Sequence, residues 1–101
     1  MAEANQLLIV TCDNETDAAT MNSELTAADA SGRLIKKENL DGNAATWVVV
    51  ATAAMAGLPK ILDSLAKVIE ACKVRSIKIG DHEIRNPTAA DLRAFRKNLK
   101  S

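Results

Sequence analysis

Few residues in this chain have the type and spacing to do chemistry. His82 is the only histidine. A lone imidazole with no neighbouring nucleophile is weak evidence for general acid–base catalysis. Its neighbours Asp81 and Glu83 would sit at a turn or point to the opposite face of a strand, and no further ligands are spaced for a metal. Asp13, Glu15 and Asp17 alternate just after an apolar run. Such acids can build a Mg²⁺ site, but the first turn of a solvated helix, where carboxylates meet unpaired N–H groups, explains them more simply. Cys12 and Cys72 form no CxxC, and each ends an apolar run. Two buried free thiols are expected, and these suit a reducing, cytoplasmic compartment. The glycines are scattered, so there is no phosphate-cradling loop, and no serine sits in a G-x-S-x-G context. These patterns lead us to expect no catalytic residue, no cofactor and no metal: the chain reads as a non-enzyme.

The elements around these residues must come from one core, because 101 residues make one domain, 1–101. An apolar fraction of 48% and a charged fraction of 26% are ordinary for a globular protein. Trp47 and Phe95 are the only aromatics, which argues against a platform for stacking nucleic-acid bases. The zero net charge hides an asymmetry. Residues 1–50 carry eight acids against three bases, and residues 51–101 carry five acids against ten bases. The halves can attract each other within one fold or simply be solvated, and the split is also compatible with head-to-tail self-association.

The segment from Leu58 to Cys72 organises the chain. Leu58, Ile61, Leu62, Leu65, Val68, Ile69 and Cys72 repeat with the period of one helix face, and Pro59 suits the first turn. The spacing predicts a helix of about four turns. Before it, Gln6–Cys12 reads as a central strand buried on both faces. A thin helix over Asp17–Ala30 follows, capped by Asn14 or Thr16, apolar at Ala18, Met21, Leu25 and Ala28, and stopped by Gly32. Arg33–Leu40 reads as an edge strand and Asp41-Gly42-Asn43 as a turn. Thr46–Thr52, with three consecutive valines, reads as a buried strand, against the alternative of one long helix from Ala44 to Lys73. After the organising helix, Arg75–Ile79 and His82–Arg85 flank a Gly80-Asp81 turn as a hairpin. Thr88-Ala-Ala-Asp91 resembles a capping box opening a last helix with Leu92, Phe95 and Leu99 on one face. The fold class is therefore α+β: a ferredoxin-like β-α-β-β-α-β core with an extra hairpin strand and a C-terminal helix.

The run Leu58–Val74, then Arg75-Ser-Ile-Lys-Ile-Gly-Asp-His-Glu-Ile, then Thr88-Ala-Ala-Asp-Leu, resembles the small bacterial effector-associated constant component proteins. The resemblance covers about 90 residues by layout rather than by invariant motifs, and the acidic first helix departs from many members. It implies a non-enzymatic accessory or adaptor protein that acts by protein–protein contact beside an effector in bacterial conflict or defence systems. It offers no catalytic residues to transfer. A small inhibitor or immunity protein that caps a toxin, and a nucleic-acid-binding module, are the alternatives. The basic last helix favours the nucleic-acid reading and the zero net charge opposes it.

The apolar stretch Ala44–Leu58 is too short to span a bilayer, leaving peripheral contact as its furthest reach. Its residues from Ala53 to Ala56 fit no amphipathic pattern, so a contact patch centred on Met55 is expected, with the start of the helix and a lysine rim. Candidate interaction residues are Trp47, Met55, Leu58, Lys60, Arg93 and Arg96. The expected partner is an effector protein or a second copy in a homo-oligomer.

Overall fold

The computed structural model describes residues 5–28, 30–38 and 45–99. Its elements are β1 (Asn5–Cys12), α1 (Glu15–Ala27), β2 (Ser31–Glu38), β3 (Ala45–Ala54), α2 (Leu58–Val68), β4 (Val74–Ile79), β5 (His82–Arg85) and α3 (Ala89–Leu99). A single 3-10 turn, Met55–Gly57, joins β3 to α2. The class is α+β. The five strands form one sheet in the order β2-β3-β1-β4-β5, and every pairing is antiparallel.

Helices cover one side of this sheet. Leu8, Val10 and Cys12 alternate along β1 and are fully buried. In register beside them stand Ala51 and Val49 of β3, and Ile79 and Ile77 of β4. Above this layer α2 packs on α1 and on α3. It contributes Leu58, Ile61, Leu62 and Leu65, each no more than 1% exposed. α1 contributes the buried Ala18, Met21 and Leu25, and α3 contributes the buried Leu92.

The turn chemistry explains where elements start. Asn14 caps α1: its Oδ1 accepts from the Asp17 N–H at 2.8 Å. Thr88 and Asp91 form the capping box of α3 reciprocally, with both hydrogen bonds at 3.1 Å. Gly80, at a φ of +60°, makes the left-handed turn between β4 and β5.

Several expectations need correction. β1 is central but buried on one side only, since Leu7 is 45% exposed. Gly32 does not end α1, which closes at Ala28 through N–H bonds back to Glu24 and Leu25. Instead Gly32 lies inside β2, where α1 approaches so closely that a Cβ would sit 2.7 Å from Asn22 Oδ1. The strand β3 replaces the long-helix alternative and runs on to Ala54. The helix α2 ends at Val68, about a turn early, because the chain tightens through an Ala71 N–H to Val68 carbonyl bond before entering β4. Cys72 is only half-buried. The turn at Asp41–Asn43 and the side chain of Leu99 lie outside the described residues.

Asn22 gives a stability prediction. Its Oδ1 is buried, faces Gly32 and has no hydrogen-bond partner among the described residues. An orphaned buried acceptor costs about 1–3 kcal/mol, and alanine is the better helix former. Asn22→Ala should therefore raise the denaturant midpoint by the equivalent of about 1 kcal/mol. A lowered midpoint would mean that the amide is satisfied.

Candidate protein-interaction face

The residues that could do chemistry fall in two places: Asp13 and Asp17 lie beside Cys12 and Cys72 at the end of β1, and His82 lies away from them on β5. His82 is exposed on β5, and its ring lies 5.1 Å from that of Phe95 on α3. It edges a shallow hollow of about 420 Å³ between β5 and α3. Of the two carboxylate residues lining it, Asp91 is committed to the capping box and Glu83 lies 3.5 Å from Arg85 Nε. Among the described residues, no group of three or more His, Cys, Asp or Glu side chains could hold a metal ion.

The acids after β1 act as a clasp instead. The Asp17 carboxylate accepts from the Lys73 N–H at 2.8 Å and from Asn14 Nδ2 at 3.0 Å. Asp13 pairs with Arg75 at the start of β4. Together they tie the N-terminus of α1 to the loop between α2 and β4, and the Asp13–Arg75 pair joins the acidic half of the chain to the basic half. The Lys73 N–H holds the Asp17 carboxyl below its ordinary range; desolvation opposes it, and Asn14, the Lys73 charge and the Cys72 thiol add to the lowering. A lowered carboxyl pKa in the folded state stabilises the fold above the unfolded value, near 4, and the stabilisation is lost as pH falls through the folded value. Asp17→Asn keeps an acceptor but loses the titrating charge. The gap between wild type and variant should therefore close on acidification, by less than about 1 kcal/mol at so exposed a site. Parallel pH curves of the urea midpoint would remove Asp17 from the clasp.

The six candidate interaction residues are not equally open to a partner. Leu58 is a core residue at 1% exposure, so it cannot meet a partner; the N-terminus of α2 points its apolar face into the sheet. Trp47 packs against the core on the helix side, with Lys36 Nζ 5.8 Å from its ring centroid. Arg96 is engaged within the fold: its Nε donates to the Pro59 carbonyl at 3.3 Å and lies 3.1 Å from Asp63 Oδ1, fastening α3 to α2. Met55, Lys60 and Arg93 are exposed, while Ala53 is buried. The expected Ala53–Ala56 patch thus shrinks to the 3-10 turn at Met55.

The larger apolar surface is the side of the sheet that carries no helix among the described residues. Strand register places its residues in rows. One row runs Ile35, Val48, Thr11, Ser76, Arg85 from β2 to β5. The next runs Arg33, Val50, Ile9, Lys78, Glu83. Leu7 and Thr52 continue the surface toward Met55. Ile9, Val48 and Val50 are partly open, and Ile35 is 42% exposed. A hollow of about 430 Å³ opens between β2 and β3, lined by Ser31, Arg33, Ile35, Val50 and Thr52. The face has an aliphatic centre over β2, β3 and β1, and a charged margin on β4 and β5. Such a contiguous apolar patch with a polar rim is the ordinary signature of a contact site.

Sequence reasoning missed these residues because Leu7 and Ile9 sit inside a continuous apolar run. A signal was present: with helices on one side of the sheet, every second residue of that run must face away from them. Among the described residues, no helix is long and apolar enough to cross a membrane. No protein-family model matches the chain, and comparison with curated proteins and with solved structures returns no match.

Proposed function

We propose that this chain is a non-catalytic accessory module that works by protein–protein contact, with the helix-free face of its sheet as the contact surface. The observation that carries this reading is the aliphatic cluster of the exposed Ile35 and the partly open Val48, Val50 and Ile9, drawn from two neighbouring rows and flanked by Arg33, Lys78 and Glu83. Leaving such a face in water forgoes about 25 cal/mol for each Å² of apolar surface that a partner could cover.

The same arrangement supports a ferredoxin-like core. β3 lies between β1 and β2, and β4 lies on the other side of β1, which is the order of two interleaved split β-α-β units. β5 and α3 are then additions at one edge. The resemblance to the effector-associated constant component proteins points to the same role, an adaptor beside a bacterial effector. Nucleic acid fits less well. Trp47 and Phe95 both lie on the helix side, so the open face offers phosphate-attracting charges but no aromatic ring for a base to stack on.

The test is hydroxyl-radical footprinting of the assembled protein, alone at high concentration and with the protein encoded beside it. Leu7 and Ile35 should lose reactivity on assembly, while Lys67 and Glu70 keep theirs. If both open-face residues stay fully reactive in every assembly that forms, the reading fails. A neighbour that is bound and keeps its activity supports the adaptor role; one that is bound and silenced makes the chain an inhibitor.

A further inference from the structure

We infer that the occupant of the open sheet face is a second copy of this chain, packed sheet to sheet about a two-fold axis that crosses the strands between the Ile35–Arg85 and Arg33–Glu83 rows. The inference rests on the proposed contact role of this face and names its partner.

The surface pattern selects this arrangement. A two-fold contact is isologous, so each residue must suit the one that the axis brings opposite it. An axis across the strands and between the two rows lays β3 over β3 and β1 over β1 of the partner copy, with the rows exchanged. Val48 then opposes Val50, Thr11 opposes Ile9, and Ile35 lies over the aliphatic stem of Arg33. At the margin Arg85 opposes Glu83, twice by symmetry, and Ser76 opposes Lys78. No like charges meet within these rows. Moving the axis onto the Ile9 row would set Arg33 against Arg33 and Lys78 against Lys78. Turning it parallel to the strands would set Val48 and Val50 of β3 against Ser76 and Lys78 of β4. The first alternative opposes like charges; the second pairs Arg33 with Glu83 but lays the charges of Lys78 and Arg85 over the aliphatic Val50 and Ile35, whereas the chosen axis keeps Lys78 over Ser76 and sets only the stem of Arg33 against Ile35.

Size agrees. Five strands about 4.8 Å apart and a central strand rising about 3.3 Å per residue give a footprint on the order of 500 Å². Two copies would bury on the order of 1,000 Å², at the lower bound for a specific interface. Glu83 and Arg85 are also able to re-pair: their mutual contact within one chain is long, at 3.5 Å, and the Arg85 side chain is largely exposed and that of Glu83 about half.

Because Glu83 and Arg85 are exposed, both can be changed without disturbing the core, and the charges can be tested by complementation. Sedimentation equilibrium should find the wild type as a dimer in the micromolar range. Glu83→Arg and Arg85→Glu should each weaken self-association by at least about tenfold, since each turns two attractions into two repulsions. An equimolar mixture of the two variants should recover association. The arginine introduced at position 83 of one copy then meets the glutamate introduced at position 85 of the other, while the native Arg85 of the first meets the native Glu83 of the second. Val50→Asp should abolish the dimer with an unchanged far-UV spectrum. A wild type that stays monomeric at several hundred micromolar overturns the inference, as does a dimer indifferent to all three substitutions or a mixture that fails to recover. A monomeric wild type whose Leu7 and Ile35 are still protected by a neighbouring protein would overturn the second copy alone and leave the contact role standing.

Discussion

Leu65→Ala should lower the unfolding free energy by about 2–5 kcal/mol. Leu65 lies in the middle of α2 and is fully buried, in a cluster with Ile61 and Leu62. α2 itself is held between α1 and α3, so the structure around the site cannot close easily over the lost atoms. The cavity then adds to the lost transfer free energy. With only two aromatics in the chain, the core is built almost wholly from aliphatic residues and alanine. For a domain of this size the loss is a large share of a total of roughly 5–15 kcal/mol. The urea midpoint should fall sharply with an unchanged slope. Lys67→Ala, on the exposed side of the same helix, should stay within about 0.5 kcal/mol. Equal midpoints for the two variants would mean that the apolar stripe of α2 is not the core.

The parts of this fold that could be read in advance are those where local chemistry and periodicity agree. The α2 stripe, the Asn14 cap, the Thr88–Asp91 box and the Gly80 turn each need only a few neighbouring residues to explain them. What could not be read depends on distant neighbours. Gly32 looks like a helix stop, yet it is small because α1 crosses β2 there and Asn22 presses against it. Leu58 starts a helix beside an exposed Met55, but the turn of the first residues sends its side chain inward. The contact face was hidden for a related reason. A continuous apolar strand signals burial on both sides, and a partner copy would supply the second side from outside the chain. In that sense the strand pattern of β1 fits the dimer better than it fits the isolated fold.

The two thiols should differ from each other and from an unfolded chain in their reaction with a thiol reagent. Cys12 is fully buried at the end of β1, and its pKa is pushed from 9.0 up to about 12, first by desolvation and then by the charge of Asp17, with smaller effects from Cys72 and Asp13. Cys72 is only half-buried; desolvation raises its pKa, and the Asp17 carboxylate adds to the rise by charge and by accepting its S–H. Reaction needs the thiolate, so near pH 8 a shift of this size leaves Cys12 with roughly a thousandfold less reactive form than in the unfolded state, before access is counted. Labelling of the native protein should therefore proceed in two steps, Cys72 first and Cys12 at a rate set by unfolding, and both should react quickly in denaturant. The linkage has a definite sign. Cys12 is neutral in the fold, so its contribution to stability is complete below the unfolded pKa and is lost as pH rises from about 9 toward 12. Cys12→Ala should start less stable, from the cavity it leaves, and should lack that alkaline decline. Fast native labelling of Cys12 at neutral pH, or an alkaline slope unchanged by its removal, would show that its thiol is open to solvent and that β1 does not end inside the core.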